Sequence, residues 1–545
     1  MTMSRAGTLR ELKASGWKSR RVKQELRDNL IARLRRGDAV FPGLIGYDST
    51  VVPQVQKAIL SGHDFILLGL RGQAKTRLLR ALPALLDEWL PVVAGCEIND
   101  DPLAPVCTAC RRRLAELGDD LPVAWWPREE RYREKLATPD VTVADLIGDI
   151  DPIKAATRKL SFADPEVIHY GIIPRTNRGL FAINELPDLQ ARIQVGLLNI
   201  LEEGDVQIRG FPVRLPLDLA LVFSANPEDY TNRGSIITPL RDRISSQILT
   251  HYPRTMQEAR AITAQEAWVE RPGGIAVEVP EWLKDAVEDV AFAARANEFV
   301  DQNSGVSARV TIALMENLVS GAERRALLAH ETRAVARVAD LLAATPAITG
   351  KIELVYEGER EGPAAVALHL VGHALKTVFE RHFPDALTTP GRSDARPRSP
   401  GREPTAPTAG GAASGARPAS ERATGGKGGA GKARGADGGL PSGSRDEPEE
   451  DSAYKPILRW FRKGEHLDLS DELPARELLA RLDAVPGLRD VASRHLPSRS
   501  DEELAAVMEL VLEGLYLNSL VAKDELIGGR VYKDVFDDMA KSLRD

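Results

Sequence analysis

The segment from residue 65 to residue 76 constrains the fold of this chain more than any other stretch. Residues 65–68 are all apolar and predict a short buried strand. The residues expected to contact a nucleotide follow directly: Gly69, Gly72, Gln73, Ala74, Lys75, Thr76 and Arg77. Glycines let backbone N–H groups surround phosphate oxygens, a lysine reaches the phosphates, and a threonine hydroxyl holds Mg²⁺. The sequence therefore predicts a nucleoside triphosphate site between a strand and a helix.

One position of this loop departs from the common G-x-x-x-x-G-K-[ST] pattern. Ala74 stands where the second glycine usually lies, which adds one methyl group at the loop. The alternative interpretation is a chance match in a glycine-bearing turn. We disfavour it because the motif requires a strand before the loop and a helix after it, and the sequence predicts both.

The composition excludes several classes of protein. A chain of 545 residues with 43 % hydrophobic content predicts more than one domain with a substantial core. The net charge of -7 argues against bulk nucleic-acid binding, and we expect no specific nucleic-acid partner. No apolar run approaches the roughly 18 residues of a membrane span, and the charged N-terminus does not resemble a signal peptide. Three cysteines give no disulfide framework, so we expect a reducing, cytoplasmic location.

The pattern along the chain predicts five parts. They are a basic helical segment over residues 1–40, a nucleotide-binding core over 41–255 with an insertion over about 96–178, a helical lid over 256–385, a disordered linker over 386–453, and a helical C-terminal domain over 454–545. In the first part, Leu26, Leu30 and Leu34 form one apolar stripe. The linker region has only Leu440 as a large apolar residue from residue 388 onward, so it cannot offset its ordering entropy. The long tether suggests that the last part is an independently docking module.

Two further strands are predicted to end in polar residues. Residues 180–183 are apolar and lead into Asn184 and Glu185. In the second phosphate-site motif an Asp orients the Mg²⁺ shell and a following Glu activates water, and here Asn184 replaces the Asp. The loss of one negative charge should weaken Mg²⁺ binding. Residues 219–225 predict another buried strand, and the Asn226 that follows can reach a γ-phosphate and the attacking water.

Two arginines stand out after these strands. Arg243 lies in the segment 239–244, which we expect near a subunit edge. Arg309 follows a predicted N-cap, Ser307, and falls in the first turn of a helix. A cation there opposes the helix dipole, which suggests that an anion holds it. The alternative for Arg309 is an ordinary surface arginine.

All the cysteines lie within residues 96–110. Cys107 and Cys110 have the C-x-x-C spacing of a zinc knuckle, and Cys96 would be a third ligand. Asp100, Asp101 or a distant histidine would have to complete the site. The alternative is three reduced thiols in a loop, and a redox pair is disfavoured because no thioredoxin-like strand precedes it.

Taken together, these features resemble a known family. The order and approximate spacing of the Lys75 loop, Glu185, Asn226, Arg243 and Arg309 resemble those of AAA+ ATPases. The resemblance covers about residues 40–385. It implies an α/β fold: a P-loop AAA+ three-layer sandwich with a parallel sheet, followed by a helical lid and a small helical C-terminal domain.

Finer features look like the magnesium chelatase I-subunit and MoxR-like branch of that family. They are the segment Asn177-Arg-Gly-Leu-Phe before the second motif, the predicted hairpin over residues 206–215, the strand tip Ser224-Ala-Asn-Pro227, and Leu240-Arg-Asp-Arg-Ile244. The resemblance covers neither the basic head nor the linker and the C-terminal part.

The resemblance implies a role for each residue outside the loop. Glu185 would polarise the attacking water, and Asn184 would hold Mg²⁺ together with the loop threonine. Asn226 would be the first sensor. Arg243 would be an arginine finger that completes the neighbouring subunit's site, and Arg309 would be the second sensor on the lid.

A finger acting between subunits implies a homo-oligomeric ring, usually a hexamer in this family. The leading hypothesis is a motor-like, Mg²⁺-dependent ATPase that remodels a partner protein, and a MoxR-like chaperone role and metal insertion both remain open. Family members often work with a von Willebrand A-domain protein. We find no D-x-S-x-S motif here, so that partner would be a separate chain.

Asn184 motivates a second hypothesis from another class. The chain would then be a nucleotide-dependent scaffold that binds ATP and assembles, with weak or no hydrolysis. A transcriptional activator of the enhancer-binding type is disfavoured because its G-A-F-T-G-A loop is absent.

Overall fold

The computed structural model of the chain describes residues 5–159, 167–208, 214–227, 235–383, 453–526 and 528–535. The predicted linker over 386–453 lies outside these residues except for its last position. None of the described helices is both long and apolar enough to cross a lipid bilayer.

The described strands are β1 (Phe65–Leu68), β2 (Trp89–Val93), β3 (Val123–Pro127), β4 (Tyr132–Leu136), β5 (Gly148–Ile150), β6 (Ile168–Tyr170), β7 (Gly179–Asn184), β8 (Asp205–Gln207), β9 (Arg214–Pro216), β10 (Leu219–Ala225), β11 (Ser246–Leu249), β12 (Ala276–Glu278), β13 (Arg333–Val335), β14 (Leu467–Ser470), β15 (Ala522–Leu526) and β16 (Gly529–Lys533).

The described α-helices are α1 (Leu9–Ala14), α2 (Val22–Arg36), α3 (Val51–Leu60), α4 (Lys75–Ala81), α5 (Thr108–Leu117), α6 (Val143–Leu146), α7 (Pro152–Arg158), α8 (Ala191–Gly196), α9 (Leu198–Glu202), α10 (Thr238–Arg243), α11 (Met256–Glu266), α12 (Glu281–Ala296), α13 (Arg309–Leu328), α14 (Val338–Ala343), α15 (Pro346–Thr349), α16 (Tyr356–Glu361), α17 (Pro363–His382), α18 (Lys455–Arg462), α19 (Ala475–Leu482), α20 (Leu488–His495) and α21 (Asp501–Leu517).

A five-stranded parallel sheet forms the centre of the nucleotide-binding core, in the order β11–β1–β10–β7–β4. Every residue of β7 and β10 is buried, as expected for parallel strands covered on both faces. The carboxyl ends of parallel strands meet at one edge of the sheet. The loop after β1, Glu185 after β7 and Asn226 after β10 therefore come together at this edge.

Alternate residues of the strands point to opposite faces and pack against different helices. On one face, Leu67, Ala182 and Val222 belong to a core shared with α2, α3 and α4. On the other face, Phe181 and Phe223 pack with residues of α1, α5, α8, α9 and α10. The predicted three-layer α/β sandwich with a parallel sheet is confirmed.

The region expected as an insertion, residues 96–178, contains one strand of the central sheet. β4 pairs in parallel with β7, and Leu136 lies opposite Asn184. The expectation was thus wrong for residues 132–136. β4 is an edge strand with half-buried side chains, so its sequence Tyr-Arg-Glu-Lys-Leu lacks the apolar run that identifies a buried strand. The rest of this region contains the antiparallel pair β5–β6. It also contains β3, which pairs with β2.

The basic head folds onto the core through α2. Leu26 and Leu30 of its apolar stripe are buried, whereas Leu34 is 40 % exposed. Arg131 reaches α2 with its guanidinium, and Nη1 and Nη2 donate to the two carboxylate oxygens of Glu25 at 2.7 and 2.6 Å. Both side chains are buried. This buried pair fixes the direction of α2 on the sheet layer.

The lid and the C-terminal part share one hydrophobic core. Every residue of α21 from Leu504 to Leu515 is buried. The helix approaches α17 closely at Gly514, where an added Cβ would lie 2.2 Å from the Phe379 ring. The predicted helices are present, but the structure adds a three-stranded antiparallel sheet, β14–β16–β15, that was not predicted. The C-terminal part is thus packed on the lid, which contradicts the expectation of an independently docking module.

Candidate nucleotide-binding site

The predicted phosphate-binding loop connects β1 to α4 and keeps a glycine-type backbone. Gly72 has φ 72°, and Ala74 has φ 52° and ψ 18°, so both residues are left-handed. This conformation destabilises a residue other than glycine by roughly 1–2 kcal/mol. The alanine substitution therefore adds a local energetic cost without changing the course of the loop.

Close packing requires glycine at two positions of the loop. A Cβ atom at Gly69 would lie 1.9 Å from Thr250 Oγ1 and 2.1 Å from Gln73 Oε1. A Cβ at Gly72 would lie 2.0 Å from Ser307 Oγ. Gln73 is buried and its Oε1 accepts a hydrogen bond from Thr250 Oγ1 at 2.7 Å. Since Ser307 belongs to the lid, the loop and the lid are in direct contact.

The entry segment before α3 is fixed to the loop by a buried tyrosine. The Tyr47 hydroxyl lies 2.6 Å from the Gln73 carbonyl and 3.0 Å from the His251 carbonyl. Burial raises the pKa of Tyr47 to about 12, so its hydroxyl remains a donor at neutral pH. Local sequence patterns did not indicate this contact.

The polar residues at the start of α4 contact the loop and the lid. Lys75 Nζ donates to the carbonyls of Gly69 and Leu70, the latter at 3.0 Å. Arg77 forms an ion pair with Glu266 of α11. The structure thus places Lys75 on the phosphate loop and turns Arg77 toward the lid.

The second motif lies on the sheet face that packs against α4. Ser224 Oγ donates to Asn184 Oδ1 at 3.1 Å, and the Glu185 amide lies 3.4 Å from the same hydroxyl. Asn184 is buried, and Glu185 has a left-handed backbone with φ 58°. Left-handed residues other than glycine concentrate at functional sites, where the surrounding structure maintains them. Asn184 is therefore held in a neutral hydrogen bond, with Glu185 following it at the sheet edge.

Asn226 presents an unsatisfied oxygen at the same edge. The residue is 3 % exposed, and its Oδ1 has no hydrogen-bond partner among the described residues. It follows β10, and the Gly69 amide donates to the preceding carbonyl, that of Ala225, at 3.2 Å. An unsatisfied buried oxygen costs about 1–3 kcal/mol, which a donor such as a water molecule or a ligand would recover. A Mg²⁺-nucleotide and its attacking water fit this arrangement.

Sequence reasoning missed a carboxylate beside Asn184. Glu134 of β4 accepts hydrogen bonds from Arg80 of α4, whose Nε lies 3.1 Å from both carboxylate oxygens, and from the Tyr132 hydroxyl at 2.9 Å. Hydrogen bonding to Arg80 holds the pKa of Glu134 below its ordinary value, with further lowering by Tyr132 and Asn184. The only signal in the sequence was β4 itself, which was not recognised.

The two candidate phosphate-binding arginines lie on different elements. Arg243 ends α10, and its Nε donates to Glu202 Oε2 of α9 at 2.7 Å. Arg309 begins α13 and is exposed, and its amide donates to Ser307 Oγ at 3.1 Å. Among the described residues, none accepts a hydrogen bond from the Arg309 guanidinium. The helix α13 begins two residues after Ser307, and the Ser307 hydroxyl accepts the hydrogen bond from the first amide of the helix.

The three cysteines lie together on the other face of the sheet. One ligand atom from each of Cys96, Asp100, Cys107 and Cys110 lies within 4.8 Å of the others. The thiols form no disulfide. Cys107 and Cys110 belong to the hydrophobic core opposite α4, so this cluster is separate from the phosphate-binding loop.

Neither protein-family models nor curated proteins gave a match to this chain. Among solved structures, a cryo-EM-based complex of the BchI and BchD subunits of magnesium chelatase shares 21 % identity, over 59 % of this chain and 98 % of that chain, with a TM-score of 0.30. NtrX from Brucella abortus shares 14 % identity, over 54 % of this chain and 56 % of its own, with a TM-score of 0.31. The match thus spans little more than half of NtrX.

These scores are too low to support a conclusion about function. The strand order, the glycine-dependent loop after β1 and the adjoining polar strand ends define a P-loop α/β fold by themselves.

Proposed function

We propose that the chain is an ATP-binding and ATP-hydrolysing AAA+ protein of the magnesium chelatase I-subunit and MoxR-like branch. One observation supports this more than any other. The predicted phosphate-binding loop, Glu185 and Asn226 meet at one sheet edge, and the buried Asn226 Oδ1 has no hydrogen-bond partner in the part of the chain that the structure describes. A bound ligand or an ordered water molecule would satisfy that oxygen.

The chemistry of each side chain suits phosphoryl transfer to water. ATP supplies the γ-phosphoryl group, which Lys75 and the loop amides would hold, while Thr76 would contact Mg²⁺. An amide oxygen accepts hydrogen bonds only, so Asn226 Oδ1 is suited to orient a water molecule. Glu185 would accept the proton of that water. Asn184 brings no charge to the metal, and its oxygen already accepts the Ser224 hydroxyl.

We further propose that Arg243 acts between subunits of a homo-oligomeric ring, with a hexamer as the expected form. Arg243 and its partner Glu202 have side chains 30 % and 55 % exposed. A pair this exposed is worth about 0–1 kcal/mol, so a neighbouring phosphate can displace Glu202 at little cost. The ring would remodel a partner protein or assist metal insertion, and a separate von Willebrand A-domain protein is the expected partner.

The second candidate function is a nucleotide-dependent scaffold with weak or no hydrolysis. The neutral hydrogen bond between Asn184 and Ser224 favours it, because no charge is available at this position to bind the Mg²⁺ shell. Steady-state ATPase rates of the wild type, Asn184→Asp and Glu185→Gln separate the two candidates. An active wild type with an inactive Glu185→Gln variant supports the ATPase. A wild type as inactive as Glu185→Gln, together with turnover in Asn184→Asp, establishes the scaffold.

The role of Arg243 requires a matched control on the same helix. Arg241 is also in the last turn of α10 and is exposed. We expect Arg243→Ala to bind a fluorescent ATP analogue normally but to lose turnover by about 10³-fold, the lower range for arginine fingers. Arg241→Ala should retain both properties. Unchanged turnover of Arg243→Ala at saturating protein concentration would show that this arginine is not a finger.

A further inference from the structure

We propose that Cys96, Asp100, Cys107 and Cys110 form a structural Zn²⁺ site, which is independent of the nucleotide chemistry. Their ligand atoms lie within 4.8 Å of one another. Tetrahedral Zn²⁺ with Zn–S bonds of about 2.3 Å separates neighbouring sulfur atoms by roughly 3.8 Å. The side chains are therefore gathered closely enough to bind one ion with small rotations.

The backbone around the cluster already directs donors at two of the sulfur atoms. The Asp100 amide donates to Cys96 Sγ at 3.4 Å, and the Cys110 amide donates to Cys107 Sγ at 3.3 Å. Such N–H groups stabilise negative charge on sulfur and orient the side chain before an ion binds. The second bond also caps the first turn of α5, so helix formation and ligand placement depend on the same sulfur.

Asp100 provides the independent observation that points to a cation. Its side chain is fully buried, and Oδ2 accepts a hydrogen bond from the Cys107 amide at 2.9 Å. Its Oδ1 has no hydrogen-bond partner in the described part of the chain. Burial of an ionised carboxylate oxygen without a partner is costly, and a bound cation would remove that cost. Oδ1 is therefore assigned as the fourth ligand, which leaves Asp101 outside the site.

Two arginines of α5 lie on the same stretch of chain as the ligands. Arg111 and Arg113 follow Cys110 on α5, and their guanidinium groups donate to the carbonyls of Pro105 and Ala94 at 3.1 and 2.8 Å. Both arginines are thus anchored on the loop that holds the ligands.

The position of the cluster indicates what the ion would do. The ligand-bearing loop is bonded to the segment that leads into β7. Asn99 Nδ2 donates to the Arg175 carbonyl at 2.8 Å, and Asn177 Nδ2 donates to the Ile98 carbonyl at 3.1 Å. Four protein ligands leave no open position, which is typical of structural rather than catalytic zinc. The ion would fasten this loop and α5 against the strand that ends in Asn184.

A disulfide between Cys107 and Cys110 is the competing state. It would leave the Asp100 carboxylate buried beside two uncharged sulfur atoms, with Oδ1 still lacking a partner among the described residues. The zinc site satisfies this oxygen and the third thiol as well, so the geometry favours the ion.

The test uses the full chain, expressed in Zn²⁺-supplemented medium and purified without chelator. We expect about one Zn²⁺ per chain by elemental analysis. Co²⁺ exchange should give the visible absorption bands of a tetrahedral, thiolate-rich site. Cys107→Ser should lose the metal. The Asp100→Asn side chain can still accept the hydrogen bond from the Cys107 amide, but it presents NH₂ where Oδ1 lies. Loss of a residue that only hydrogen-bonds to a metal ligand lowers metal affinity roughly 10- to 100-fold, so loss of a direct ligand should lower Zn²⁺ affinity at least as much.

Asp101→Asn is the matched control, because Asp101 Oδ1 accepts a hydrogen bond from the Leu103 amide outside the cluster. This variant should bind Zn²⁺ as the wild type does. The proposal is overturned if the wild type contains no zinc, binds no Co²⁺, and has three freely reacting thiols or a Cys107–Cys110 disulfide by mass spectrometry. Unchanged zinc affinity in Asp100→Asn would refute the assignment of the fourth ligand. The wild-type measurements decide the main question even if the variants fail to fold.

Discussion

A buried carboxyl group is expected to make the lid sensitive to pH. Glu288 of α12 is 3 % exposed and accepts a hydrogen bond from the Thr263 hydroxyl of α11. That hydroxyl lies 2.9 Å from Thr311 Oγ1 of α13, so the group connects three helices of the lid. Burial raises the pKa of Glu288 from 4.5 to about 7, because desolvation outweighs the Thr263 bond and the nearby Arg295.

The direction of the effect follows from proton binding. Between pH 4.5 and about 7, the folded lid keeps a proton on Glu288 that the unfolded chain releases. The free energy of unfolding therefore falls as pH rises through this window, which is opposite to the usual effect of a salt-bridged carboxylate. The shift in pKa corresponds to roughly 3 kcal/mol lost above the window.

Glu288→Gln isolates this contribution. The amide oxygen can still accept the Thr263 hydroxyl but the side chain cannot ionise, so the variant should gain up to about 3 kcal/mol at pH 8 and match the wild type near pH 5. Urea midpoints of the lid transition, followed across this pH range, measure the difference. Glu298→Gln removes an exposed carboxylate just after α12 and serves as the control. Equal pH dependence of wild type and Glu288→Gln would refute the reasoning.

Two further predictions concern contacts that fix the layers of the molecule. Glu25→Gln should lower the free energy of unfolding of the core by about 3–5 kcal/mol, because it leaves the Arg131 guanidinium buried without its counter-charge. Denaturant titration measures this loss. A loss below about 1 kcal/mol is the value typical of a solvent-exposed ion pair and would contradict the burial of this one. Gly514→Ala should destabilise the lid by about 1–3 kcal/mol through its clash with Phe379, as measured by thermal unfolding. Adding Phe379→Leu should recover part of that loss, and an unaffected single variant would contradict the close packing of α17 and α21.

Much of the fold was accessible from local sequence signals. The prediction of β1 was correct at both ends, because an apolar run, a glycine-rich loop and a helix start all lie within one short segment. The strands before Glu185 and Asn226 were also predicted, since central parallel strands are buried on both faces and have continuous apolar sequences. The strand β4 was missed because an edge strand needs only half of its surface buried.

The C-terminal part shows where local patterns mislead. The sequence predicted a helical C-terminal domain, but the complete burial of α21 cannot be recognised from an amphipathic pattern. Glu513 of α21 is buried, and it accepts hydrogen bonds from the Tyr532 hydroxyl at 2.7 Å and from Lys523 at 2.8 Å. The sheet strands β15 and β16 supply these partners, so tertiary contacts from distant segments satisfy this buried carboxylate.

The sequence by itself determined the residues of the candidate site that follow strands, because chain order and the parallel sheet bring strand ends to one edge. Tertiary structure alone decided which groups stand beside them. It placed Glu134 next to Asn184, paired Arg243 with Glu202, and directed Asp100 rather than Asp101 toward the cysteines. Spacing along the chain sets a side chain's position on its own element. The neighbours that neutralise or complete its charge come from distant segments, and only the packing of those segments selects them.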